Sequence, residues 1–296
     1  MPTMFSDRVI DDEVRTATHA LVERVRAEAG PLFVLTGAGV SLASGVPTFR
    51  GTDPEAVWAH DVTELGTLAY FERDPVGSWR WYRRRFRTLD GKHPNAAHLT
   101  LTALERWQLG RGRDFCLVSQ NIDTLHEQAG SRSLIKVHGS ADRVRCSRDG
   151  CRFGAPEGTL PRSRFNLEQF DEDPSLATVP RCPACWSPMR QHVLWFDEHY
   201  GSHADYQFDR VLDFLGRAGI IVCVGTSFAV GVTDIVVTTA ERRRVPVFVV
   251  DPRAPPLDPD ARRIHIAAPA EMVLPFVCEL LGASGREGTP PVRAGT

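Results

Sequence analysis

The chain has 296 residues, of which 42% are apolar, and a formal net charge of −2. That length allows one large domain or a core with an attached module. The near-neutral, apolar-rich composition argues against disorder and against a polyanion-binding surface, so no nucleic acid partner is expected. No apolar run approaches the ~20 residues that cross a bilayer. The segment MPTMFSDRVIDDEV also lacks the basic and apolar regions of a secretory signal, so no membrane partner and a cytoplasmic location are expected.

Residues 11–29 carry a helical pattern with Val14, Leu21, Val25 and Ala29 on one side. Continuous apolar runs follow at PLFVLT (31–36), DFCLVS (114–119), SLIKVH (133–138), GIIVCVGTS (219–227), VPVFVVD (245–251) and, more weakly, RIHIA (263–267). Runs without alternation suit strands covered on both faces. A second helical pattern, 95–108, aligns Ala97, Leu101, Leu104 and Trp107. Strands alternating with helices predict an α/β fold with a doubly wound, Rossmann-like parallel sheet, whose ligands bind beyond the carboxyl ends of the strands. Residues 48–93 read as helical and aromatic, and residues 140–190 as rich in Pro, Gly, Arg and Cys with little periodicity. These two insertions are expected to form a smaller lobe. The organisation is thus a single core with a large domain of 1–47, 94–139 and 191–287, a helical insertion 48–93, a cysteine-rich module 140–190, and a tail 288–296 of disordered composition.

Of the seven cysteines, Cys116 and Cys223 fall inside apolar runs, where a thiol serves as a small hydrophobe. Cys146 and Cys151, with Cys182 and Cys185, form two close pairs. Four thiolates from two short loops can enclose one Zn²⁺ as a closed structural site. Free thiols, or a redox pair at CPAC, are the alternative.

The first strand runs into TGAGVSLASGVPTFRG (36–51), whose small residues let backbone amides approach a pyrophosphate. The dinucleotide fingerprint is incomplete, because Leu42 stands where its third glycine belongs and no acidic residue ends a second strand about 20 residues on. The glycines could equally just shape a tight turn. The second strand ends in SQNIDTLHEQAG and the third in VHGS, which gathers Gln120, Asn121, Asp123, His126 and His138 on one edge. GTSFAV follows the fourth strand.

In their order, GAGVSLASGVPTFRG, SQNIDTLH, VHGS, the cysteine pairs, VLWFDE and VGTS resemble the sirtuins, NAD-dependent protein lysine deacylases, over residues 11–282. The resemblance implies NAD as co-substrate, one structural zinc, and acylated-lysine proteins or peptides as partners. In the implied reaction the acyl oxygen attacks the anomeric carbon of the nicotinamide ribose, nicotinamide leaves, and the acyl group ends on ADP-ribose. His138 matches the base that deprotonates a ribose hydroxyl, for which a pKa of ~6.5 is suited. Asn121 matches the residue orienting ribose and water, and Asp123 the one holding the nicotinamide amide. Phe49 and Arg50 match residues that position and shield the reacting ribose, Thr48 a neighbouring cofactor contact, and Gln120 a contact to ribose hydroxyls. Gly37, Ala38, Gly39 and Ser41 match the phosphate loop, Gly225, Thr226 and Ser227 the adenosine side, and Asp251 a further cofactor contact in place of the family's usual Asn. Val193, Trp195, Phe196 and Val230 match the walls around the lysine stem.

Tyr82 and Arg85, three residues apart and so on one helix face, match the pair that binds the substrate carboxylate in the desuccinylase and demalonylase branch, and Thr48 agrees with that branch, with deacetylation open as a companion or main activity. An ordinary solvated arginine face is the bland alternative. Asp197 stands where members of the family usually have Gly, and near Val232 they usually have a proline, so peptide preference is expected to be unusual. Competing activities are protein ADP-ribosyl transfer or NAD hydrolysis in the same pocket, and a catalytically inert NAD-sensing scaffold. A dehydrogenase is disfavoured by the incomplete fingerprint.

Overall fold

The structure is a computed structural model that describes residues 11–47, 62–228, 231–253 and 263–283. Its helices are α1 (Asp12–Ala27), α2 (Val62–Leu65), α3 (Leu68–Arg73), α4 (Pro75–Leu89), α5 (Ala96–Leu109), α6 (Leu125–Gln128), α7 (Leu167–Glu172), α8 (Phe208–Arg217), α9 (Gly231–Arg243) and α10 (Ala270–Leu281). Its strands are β1 (Leu32–Thr36), β2 (Phe115–Ser119), β3 (Leu134–Lys136), β4 (Gly139–Cys146), β5 (Leu160–Pro161), β6 (Met189–Val193), β7 (Ile220–Val224), β8 (Val247–Val250) and β9 (Arg263–Ile266).

Asp11 starts α1 by accepting the Val14 amide at 2.8 Å, which satisfies one of the orphan donors of the first turn. The helix ends at Ala27, so Ala29 lies beyond it and is exposed rather than on its apolar side. Six strands form one parallel sheet in the order β3-β2-β1-β7-β8-β9. Every residue of β1, β2, β7 and β8 is buried, as continuous apolar runs require. Alternation decides the face: Leu32 and Val34 pack with Leu21, Leu101 and Val277 of α1, α5 and α10. Phe33 and Leu35 pack with Val211, Leu215 and Val236 of α8 and α9. Each fully buried side chain of this kind contributes roughly 1.5–3 kcal/mol.

The strand order reverses direction between β1 and β7, which opens a crevice at their carboxyl ends. The 140–190 segment, which shows little periodicity as sequence, contributes to an antiparallel sheet of order β5-β4-β6. Its strands carry arginines at buried positions, and that polarity hides the strand pattern. This sheet packs with α3 and α4 around Trp79, Phe86, Phe170 and Trp195. Among the described residues, no helix is long and apolar enough to cross a membrane.

Candidate functional site

The crevice is built by three loops pressed against one another. Gly37 donates its amide to Val224 O at 3.0 Å, and Gly39 to Gly225 O at 2.9 Å. A Cβ on Gly37 would meet Gly225 O at 2.7 Å, and one on Gly39 would meet Gly225 Cα at 2.7 Å. Gly225 has φ +58° and faces Gly39 just as closely. These glycines are therefore required by loop-to-loop approach at the switch point. Asn95, the N-cap of α5, donates to Val40 O at 2.8 Å and to Ser44 Oγ at 3.0 Å, holding the 3₁₀ turn Ala38–Ser44 from below.

Ser41, fully buried, joins the two polar groups of the second loop. Its hydroxyl donates to Asp123 Oδ2 at 2.9 Å, and Asn121 Nδ2 donates to Ser41 Oγ and to Gly37 O, each at 3.1 Å. Asp123 Oδ1 accepts the Leu125 amide at 3.0 Å. Gln120 Nε2 reaches Thr226 Oγ1 at 3.1 Å and Thr36 O at 3.3 Å, spanning the ends of β1 and β7. Ala38 and Gly39 are half-buried, Ser227 is exposed, and Asp251 holds the Arg253 amide at the end of β8 at 2.7 Å.

His138 stands between the two sheets, one residue before β4, and its carbonyl accepts the Leu194 amide at 3.0 Å. Its Nδ1 lies 2.8 Å from Gln120 O. A carbonyl can only accept, so Nδ1 carries the proton and Nε2 presents a bare lone pair. Burial pushes the His138 pKa below its ordinary value, opposed by the bond to Gln120, so the ring is neutral at pH 7. His138 and Asn121 are thus linked through Gln120, and Asn121 and Asp123 through Ser41.

Sequence reasoning missed Tyr200. Its hydroxyl accepts the Val232 amide at 3.1 Å and lies 3.4 Å from His138 Nε2. Its ring stacks on His138 at 5.9 Å and on Phe208 at 4.4 Å. The bond that holds it needs a backbone N–H at Val232, which a proline there could not supply. His98 and His126, their rings 4.7 Å apart, lie under the cleft, with His126 Nε2 3.1 Å from Thr36 Oγ1. Burial pushes His98 down to about 4 and His126 well below its ordinary value.

On the small-lobe side, Val193 and Trp195 are buried and Phe196 is 48% exposed. Asp197, the departure from Gly, accepts the Leu68 amide at 2.7 Å and the Ala69 amide at 3.1 Å, and so ties this loop to the start of α3. Tyr82 and Arg85 are both buried in α4: Tyr82 stacks 6.3 Å from Trp195, and the Arg85 guanidinium lies 3.1 Å from the Trp81 ring centre. Desolvation pushes Arg85 down to about 9 and raises Tyr82. Thr48, Phe49, Arg50 and Val230 lie outside the described residues.

The four paired cysteines converge. Cys146 and Cys185 sulfurs are 3.4 Å apart, those of Cys151 and Cys182 3.7 Å, and all four lie within 4.8 Å of one another. Tetrahedral zinc with ~2.3 Å bonds sets sulfurs ~3.8 Å apart. Arg148 and Ala184 amides each donate to a thiol at 3.4 Å, the outer hydrogen bonding that steadies thiolate ligands. The donor set therefore fits one structural zinc.

A protein-family model described as "Sir2 family" matches residues 37–232. An NAD-dependent protein deacylase 1 from Archaeoglobus fulgidus is 34% identical over 236 residues, covering 79% of this chain and 86% of that protein. An NAD-dependent protein deacylase from Thermus thermophilus is 38% identical over 201 residues, covering 68% of this chain and 70% of that one. Among solved structures, a Sir2 homolog–NAD complex is similar at 31% identity and TM-score 0.70, covering 89% of this chain and 94% of that one. A mutant Sir2 homologue bound to ADP ribose is similar at 30% identity and TM-score 0.71, covering 90% and 99%.

Proposed function

The chain belongs to the Sir2 family, and from that membership and its own site we propose that it is an NAD-dependent protein lysine deacylase with His138 as base. The carrying observation is the tautomer of His138: Nδ1–H is fixed on Gln120 O, which leaves a neutral imidazole with its Nε2 lone pair free of a proton. Bound NAD supplies an anomeric carbon whose bond to nicotinamide can break. The buried amide, hydroxyl and carboxylate of Asn121, Ser41 and Asp123, set at the switch point of the sheet, offer donors and acceptors suited to its carboxamide and ribose. His138 takes the ribose hydroxyl proton as the acyl group is transferred, and burial keeps the base from being lost to protonation near pH 7.

The finer reading concerns the acyl group. A buried guanidinium over Trp81, beside the Tyr82 phenol, suits a carboxylate better than a methyl, because charge-assisted bonds offset the cost of its burial. Succinyl- or malonyl-lysine is accordingly the preferred substrate. One assay tests both levels: NAD with matched acetyl-, succinyl- and malonyl-lysine peptides, following nicotinamide and O-acyl-ADP-ribose. His138→Ala is expected to lower turnover by about 10²–10⁴-fold, and Arg85→Met to lower succinyl processing more than acetyl. Near-wild-type turnover in the first variant rejects the base, equal losses in the second reject the carboxylate pocket, and nicotinamide release without acyl peptide favours NAD hydrolysis.

A further inference from the structure

Outside the cleft and the four cysteines, one further cluster of metal-ligating side chains occurs among the described residues: His192, His203 and Asp205, with ligand atoms within 4.8 Å of one another. His192, on β6, is 1% exposed, and neither of its ring nitrogens makes a hydrogen bond. Its Nε2 lies 3.3 Å from Asp205 Oδ2, close enough to pair but not aligned to bond. That separation is what two ligands at ~2.0–2.1 Å subtend around a tetrahedral ion, ~3.3–3.4 Å. His203 Nε2 is 3.3 Å from Gly158 O, and its Nδ1 accepts the Asp205 amide at 3.1 Å. With Nε2–H on that backbone carbonyl, Nδ1 carries the lone pair that can ligate, and an ion bound there takes the place of the Asp205 amide.

We propose that His192, Asp205 and His203 form a second divalent-metal site, distinct from the four-cysteine centre and selective for borderline ions such as Zn²⁺, Co²⁺ or Ni²⁺. Two imidazoles and one carboxylate are the donor set such ions prefer, whereas Mg²⁺ and Ca²⁺ demand oxygen. The desolvation that disfavours a charged His192 keeps it in the form that can ligate. His192 and Asp205 also line an open cavity of 330 Å³. Its walls carry three basic groups, Arg132, Lys136 and Arg143, balanced by Glu127, Asp142 and Asp205, and the buried Arg145, whose charge reaches both histidines, is paired with Glu198 at 2.6 Å. Solvent from the cavity can complete the coordination, so the ion exchanges, unlike one enclosed by four thiolates. The site also bears on the catalytic segment. The His192 carbonyl packs where a Cβ on Gly139 would stand, and Leu194, two residues further on, holds the His138 carbonyl.

The test is a Co²⁺ titration of the untagged full chain, its cysteine centre already loaded with zinc, followed by visible absorption and by metal content per chain. One additional ion per chain is expected, with ligand-field bands and no thiolate-to-metal charge transfer. Asp205→Asn, at an exposed position, is expected to weaken that ion at least tenfold while leaving the melting temperature and the zinc content unchanged. His192→Phe, which keeps the ring, provides the same readout at the buried end. No second ion at millimolar Co²⁺, or an Asp205→Asn protein that binds it as tightly as wild type, overturns the site.

Discussion

The parallel-sheet body and the small lobe are stabilised by different physics in one chain. In the body, whole strands are buried and alternate residues feed two apolar cores. In the lobe, comparable burial encloses charge. Glu198 binds the guanidiniums of Arg145 and Arg190 at 2.6 Å each, with all three side chains at most 9% exposed, and Arg190 lies 3.3 Å from the Trp195 ring centre. Non-directional burial in the body tolerates repacking. The lobe depends on a few partners, each of which leaves a buried charge or open ligand set behind when it is lost.

The largest expected effect tests that contrast. Glu198→Gln keeps the volume but strands two guanidiniums, and denaturant unfolding should show a loss of about 3–5 kcal/mol. Ile221→Val in the body should cost only ~0.5–1.5 kcal/mol. Equal costs would erase the distinction. Next, a strong chelator at neutral pH should open residues 146–185 to limited proteolysis while NAD binding to the body persists. Cleavage confined to the body would contradict this.

Two buried histidines under the cleft bring titratable groups into the body. Their folded pKa values are depressed, so the unfolded chain binds protons that the native chain refuses. Their contribution is present above pH ~6.5 and is lost as pH falls below it, for His98 down to about 4, at about 1.4 kcal/mol per pH unit. Asp123 opposes the shift at His98, and Lys136 deepens it at His126. Melting curves from pH 7 to 4.5 should be flatter for His98→Gln than for wild type; an unchanged slope removes His98 from the account.

The smallest effect sits at the seam between the regions. Tyr200→Phe keeps the stacking but removes the hydroxyl that can donate to His138 Nε2 and so favours the neutral base. A change of about 1 kcal/mol or less in kcat/KM is expected, with the acid limb of its pH profile moved upward. An unmoved limb would mean that the contact does not reach the base.

Much of this was legible in the sequence. Continuous apolar runs announced the six parallel strands, paired cysteines announced the thiolate cluster, and the strand-end residues Gln120, Asn121, Asp123 and His138 do meet at the switch point. β4 was not legible, because its buried Arg145 breaks the apolar pattern and is compatible with burial only once Glu198, 53 residues away, is in place. Asp197 and Val232 were visible as departures, yet their consequences, a tie to the start of α3 and an amide for Tyr200, depend on neighbours distant in sequence. The sequence by itself determined the doubly wound class and the order of the motifs, since these follow from local periodicity and from residue order along the chain; the role proposed for His138 came from the resemblance those motifs carry. Only the tertiary structure decided the tautomer of His138, the loop approach that requires Gly37, Gly39 and Gly225, and the convergence of His192 with Asp205. Each of those is a contact between segments whose separation along the chain leaves no periodic trace.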